Sequence, residues 1–184
     1  MDKNPPRNDG VTPLFIAAQN GHFEICKLII EKVKDKNPAK NNGATPLHIA
    51  AQNGHFEICK LIVENVENKN PVRNDGVTPL HIAARNGHFE VCKLIIENVE
   101  NKNPARNDGS TPLHWAAQNG HFEICKLILG QVEDKHPKFG IGGETPLTIA
   151  DKKGHYDICR LILGSTTENT PVEGNPSKKQ KVSS

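Results

Sequence analysis

Short apolar clusters and polar breaks alternate along this chain at a fixed interval. Leu14, Ile16, Ala17 and Ala18 make a brief apolar stretch that Gln19-Asn20-Gly21 closes. From about Phe23 onward, Ile25, Leu28, Ile29 and Val33 fall at helical spacing on one side. The pattern predicts two helices joined by a tight turn. Thr12 suits the N-cap of the first, and Pro13 its first helical position, where a missing N–H costs nothing. Ala17 and Ala18 are small enough to let the second helix approach closely. Gly21 tolerates the left-handed backbone that ends helices. Asn37-Pro38 ends the second helix, because a residue before proline is pushed out of the helical region. Arg7-Asn8-Asp9-Gly10 is turn chemistry leading into the cap.

The unit then repeats. Thr-Pro-Leu begins at Thr12, Thr45, Thr78, Thr111 and Thr145, with spacings of 33, 33, 33 and 34 residues. Cys26, Cys59, Cys92, Cys125 and Cys159 keep the same spacings, as do the Gly-His pairs that begin at Gly21, Gly54, Gly87, Gly120 and Gly154. Three markers in phase over five copies define the organisation.

The string from Asp108 to Ala117, Asp-Gly-Ser-Thr-Pro-Leu-His-Trp-Ala-Ala, followed by Asn119-Gly120-His121, resembles an ankyrin repeat. The resemblance covers residues 7–164. It implies an all-α solenoid of stacked antiparallel helix pairs with β-hairpin-like fingers projecting at right angles. It also implies protein binding along the fingers and inner helices. The units read as 7–39, 40–72, 73–105, 106–138 and 139–164. The family usually has glycine shortly after the second helix, whereas Val33, Val66, Val99 and Val132 stand there in this chain. Val33 lies four residues after Ile29 and extends the apolar stripe, so a second helix longer by half a turn to a turn is expected.

Repeat arrays need polar caps. Asp151 replaces the alanine of the other units beside Lys152-Lys153, and the last helix should stop at Gly164, which marks a C-terminal cap. No N-terminal cap is visible. Residues 1–6 resemble the end of a preceding unit, since Asp2-Lys3-Asn4-Pro5 echoes Glu100-Asn101-Lys102-Asn103-Pro104. The chain is therefore expected to be the last five units of a longer array or a truncation of one. Residues 165–184 have almost no apolar content and read as a disordered polar tail.

Composition narrows the function classes. The 184 residues carry 23 basic and 21 acidic side chains, a formal net charge of +2, which gives no argument for direct nucleic-acid or membrane binding. No apolar run approaches the roughly 20 residues of a membrane span. Residues 1–6 lack the apolar stretch of a secretory signal. A reducing intracellular compartment is the expectation: cytoplasmic, with the nucleus as the alternative if the tail directs import.

Several residue sets could carry chemistry. All five cysteines occupy one column of the second helix, and stacked helices lie about 8–10 Å apart, beyond disulfide reach. Buried reduced thiols are expected. The histidine columns His48/His81/His114 and His22/His55/His88/His121/His155 run along the array one per step, so four ligands do not converge on a metal. The family resemblance implies that the histidine after Thr-Pro-Leu bonds within its own turn. Gly140-Ile141-Gly142-Gly143 precedes a helix start, but no Lys-Ser/Thr follows, and the 34-residue spacing makes a widened finger the better reading. Glu97 and Glu100 read as a solvated face. Trp115 stands in a column otherwise filled by isoleucine, so core or partly exposed core is expected, with ligand stacking as the alternative. Lys178, Lys179 and Lys181 resemble a short nuclear import signal, or simply solvate the tail. No nucleophile with its base and orienter is present, so no enzyme, cofactor or small-molecule substrate is expected.

The family pattern places partner contacts in three columns: the finger tips Val11, Ala44, Val77, Ser110 and Glu144; the first-helix ends Gln19, Gln52, Arg85, Gln118 and Lys152; and the flanking bases Arg7, Lys40, Arg73 and Arg106. Trp115 joins them. The leading expectation is a monomeric, non-catalytic scaffold or adaptor that binds a protein partner on this face. Two alternatives stay open. One is a spacer within a longer array, since units two and three differ at only seven of 33 positions. The other is a regulatory inhibitor or adaptor of a nuclear factor.

Overall fold

A computed structural model describes residues 4–140 and 142–164. Among these residues ten helices form five pairs: α1 (Pro13–Gln19) with α2 (Phe23–Ile30), α3 (Pro46–Asn53) with α4 (Phe56–Asn65), α5 (Pro79–Asn86) with α6 (Phe89–Glu97), α7 (Pro112–Gln118) with α8 (Phe122–Leu129), and α9 (Pro146–Lys153) with α10 (Tyr156–Leu163). First helices stack on first helices and second on second, so the array has two helical layers. One continuous apolar core runs between them, built in units one to four from the Leu-Ala-Ala of the first helix and the cysteine and aliphatic side chains of the second, and in unit five from Ala150, Ile158 and Ile162.

Local chemistry explains each pair. The expected Thr-Pro starts are present in all five units, and the threonine oxygen of Thr78 accepts from the His81 N–H at 3.4 Å. At the other end Gly54 and Gly87 close their helices in the left-handed conformation. The chain then reverses at once, with the His88 N–H bonded to Ala83 O at 3.0 Å.

The second helices do not overrun. Val66, expected to be helical, is extended (φ −126°, ψ 152°) and lies just beyond the end of α4. The apolar stripe misled because an extended residue can also return its side chain to the core. Val66, Val99 and Val132 pack there from outside the helices. In the first three units a lysine, not a glycine, caps the second helix: Lys36 Nζ donates to Ile30 O at 2.5 Å and Lys102 Nζ to Ile96 O at 2.5 Å, and Lys69 Nζ donates to Val63 O. These ammonium groups satisfy last-turn carbonyls that continued helix would otherwise have paired.

Units are sewn together by polar side chains. Asn37, Asn70 and Asn103 each accept the leucine N–H of the following first helix, as in Asn70 Oδ1 from Leu80 N at 3.1 Å. Asn4 makes the equivalent bond to Leu14 N at 2.9 Å. His48, His81 and His114 accept from the threonine N–H of their own turn through Nδ1 and donate through Nε2 to the carbonyl of the next finger, Val77, Ser110 and Glu144. The second column also crosses units: the Nε2 atoms of His55, His88 and His121 reach Gln19 O, Gln52 O and Arg85 O.

The two ends differ from the middle. Ile25 is 48% exposed, whereas its counterparts Ile58, Val91, Ile124 and Ile158 are at most 2% exposed beneath the unit before them. At the other end Asp151, Lys152 and Lys153 are exposed and Gly164 closes α10.

Candidate functional site

Each finger is a short hairpin without regular strand. Arg73 N donates to Val77 O at 2.9 Å, and Gly76 N to Arg73 O at 2.9 Å; the same pair of bonds recurs from Arg7, Lys40 and Arg106. Neighbouring fingers are joined in turn, Asn74 N to Asn42 O at 3.1 Å and Asn107 Nδ2 to Asn74 O at 3.1 Å. In the fifth unit Phe139 pairs with Glu144 through two bonds of 3.0 Å, one residue wider than the others, which accounts for the 34-residue spacing.

The column expected at the tips is not exposed. Val11, Ala44, Val77 and Ser110 are only 7%, 8%, 3% and 2% accessible. Side chains alternate between faces along a hairpin, and this column takes the face turned toward the helices, where Val11 and Ala44 pack with Phe15 and Ile49. Glu144 is half-buried and is paired with Lys152, another residue of the expected site. The true tips are polar. Asn8, Asn41, Asn74 and Asn107 are exposed. One residue on, Asp9, Asn42, Asp75 and Asp108 accept the N–H two residues further along, holding the turn.

The basic column is also less free than its sequence suggests. Arg73 pairs with Asp75 at 3.1 Å, Arg106 with Asp108 at 3.5 Å, and Arg7 with Asp9 at 3.8 Å. These acids escaped the sequence reading, although their i, i+2 spacing across a hairpin turn was the available signal. The second finger has Asn42 in place of the aspartate, and Lys40 Nζ lies 5.5 Å from the centre of the Phe15 ring. The first-helix column is as expected: Gln19, Gln52, Arg85, Gln118 and Lys152 are all exposed.

Trp115 is half-buried and anchored from three sides. Its Nε1 donates to Ser110 Oγ at 3.3 Å, and its ring meets His81 edge-on at 5.4 Å. The guanidinium groups of Arg85 and Arg106 stand 5.6 and 5.7 Å from its centre. Between the fingers and the first helices two cavities flank this residue. One, of about 470 Å³, reaches from Gln52 and Arg73 to Trp115. The other, of about 280 Å³, continues from Trp115 to Gln118 and Phe139. Arg85 and Arg106 border both.

The remaining candidates are structural. Cys26, Cys59, Cys92 and Cys125 are fully buried free thiols, and burial raises their pKa values, to about 11 for Cys26 and about 12 for Cys59 and Cys125. Cys159 departs from the expected uniform burial: it is only half-buried, because no unit among the described residues covers the last helix pair. Burial pushes His48 and His81 down to about 4, against the opposing pull of their backbone bonds, and lowers His114 as well. Among the described residues no group of three or more histidine, cysteine or acidic side chains could hold a metal ion. No described helix is long and apolar enough to cross a membrane. The import signal read at Lys178, Lys179 and Lys181 lies outside the described residues.

Stacked helix pairs, linked fingers and a groove between them define a helical repeat protein. A family model described as ankyrin repeats, in three copies, matches residues 1–75, 65–139 and 107–173, and the chain belongs to that family. Ankyrin repeats are in general protein–protein interaction modules and typically non-catalytic. No match was found among curated proteins.

Proposed function

We propose that this chain is a non-catalytic scaffold that holds a protein partner in the groove between its fingers and first helices, mainly through units two to four. The observation that carries this reading is the row Gln52, Arg85 and Gln118. These side chains are exposed beside two open cavities, and Trp115 lies between those cavities. A half-buried tryptophan bordered by arginines is the composition of an interface hot spot. The buried column Val11, Ala44, Val77 and Ser110 supports the site from beneath.

The test is selection of binders from a displayed library of small protein domains against the intact array. Changing Gln52, Arg85 and Gln118 together to alanine should abolish most selected binding while helicity stays unchanged. Glu64→Ala, on an exposed position of α4, should be silent. A spacer role is favoured by the near-identity of units two and three, which differ at only seven of 33 positions, and it would be the better reading if no binder engages the groove.

A further inference from the structure

Charge balance in the groove is uneven beside Trp115. Arg73 and Arg106 each face an aspartate two residues away, at 3.1 and 3.5 Å. Arg85 takes part in none of the ion pairs among the described residues, whereas its counterparts Gln19, Gln52 and Gln118 are neutral and Lys152 is paired with Glu144. One cation is therefore left over at the point where the two cavities meet. That cation is also oriented, because its guanidinium group lies over the Trp115 ring at 5.6 Å. The Nε atoms of Arg73 and Arg106 are buried without an acceptor, so the groove floor holds more donors than acceptors.

Building on the binding reading above, we propose that the groove takes an extended acidic segment of another protein, with one aspartate or glutamate carboxylate seated on Arg85 beside Trp115. An arginine fork pairs with a carboxylate through two parallel bonds, and a guanidinium stacked on an indole loses little freedom when it does so. The geometry favours a singly charged group. Asp75 borders one cavity and Asp108 the other, and both repel the second charge of a phosphate. The cavities run from Gln52 in unit two to Phe139 in unit five, three steps of about 8–10 Å each, which an extended chain spans in roughly eight residues.

Trp115 is the only tryptophan in the chain, so its emission reports on this site alone. The probes are three pools of fluorescein-labelled decapeptides whose central residue is glutamate, glutamine or phosphoserine, with uncharged residues randomised elsewhere. Anisotropy and Trp115 emission are followed on the full chain. The glutamate pool should bind about tenfold more tightly than the glutamine pool and change Trp115 emission, and Arg85→Ala should remove about that tenfold preference while circular dichroism is unchanged. Arg85→Lys should restore only part of it. Equal binding of the glutamate and glutamine pools, or an unchanged preference in Arg85→Ala, overturns the proposal. Tighter binding of the phosphoserine pool overturns it in favour of a phosphopeptide, and no binding by any pool also overturns it. Domain binders that need Gln52 and Gln118 but no acidic residue would leave the scaffold reading standing while this inference falls.

Discussion

Replacing His81 with glutamine removes a neutral, fully buried imidazole from the middle of the array and should change how stability follows pH. Glutamine can keep both bonds, accepting from Thr78 N and donating to Ser110 O as Nδ1 and Nε2 do now. It cannot titrate. In the folded protein burial holds His81 near 4, against 6.5 for the free side chain. The unfolded chain therefore gains a proton as pH falls through 6.5, and the folded chain does not until near 4. A depressed folded value means that the stability is intact above 6.5 and is lost on the way down to 4, with no further loss below. Each pH unit inside that window costs about 1.4 kcal/mol, so between about pH 7 and pH 5 this histidine withdraws about 2 kcal/mol. Urea unfolding followed by far-ultraviolet circular dichroism at the two pH values measures it. Wild type should lose about 2 kcal/mol more than His81→Gln over that interval. Equal pH sensitivity, or a variant more sensitive than wild type, would refute the claim that burial holds this ring neutral.

Further outcomes follow from the same structure. Thiol labelling of the native chain should modify Cys159 first and leave Cys26, Cys59, Cys92 and Cys125 untouched until denaturant is added; rapid native labelling of Cys92 would contradict the packing. Gly87→Ala should cost about 2–4 kcal/mol, since a Cβ there adds a 2.6 Å clash with His121 to the strain of φ +79°. Gly154→Ala, at φ +78° in open space, should cost only about 1–2 kcal/mol, and equal losses at the two sites would count against the close approach. Lys69→Met should destabilise the array by about 1–2 kcal/mol by leaving Val63 O without its ammonium donor, read by thermal unfolding; no change would mean that water replaces it freely. Hydrogen exchange should be faster in α1 and α2 than in α5 and α6, because Ile16, Ile25 and Leu28 lie open at that end, and uniform protection would contradict this.

The sequence by itself determined the elements and their order. Thr-Pro starts, glycine stops and the apolar spacing act within a few residues of one another, so five helix pairs could be read directly, and repetition at 33 residues required them to stack. The exposed column Gln19, Gln52, Arg85, Gln118 and Lys152 was legible for the same reason, because helical phase is local. Only the tertiary structure decided what each unit covers on its neighbour. Val66 reads as one more helical position by spacing, yet its extended backbone packs on the core while Lys69 closes the helix behind it. Val11, Ala44, Val77 and Ser110 read as tips, but hairpin pleating turns them inward. Cys159 matches the other four cysteines in sequence and differs in burial because no unit follows it among the described residues. The placing of Arg85 and Arg106 over Trp115, with only Arg106 paired to an aspartate, depends on how fingers and helices of different units meet. Spacing along a chain specifies phase within one element, whereas burial and charge pairing are set by surfaces brought together from units 33 residues apart.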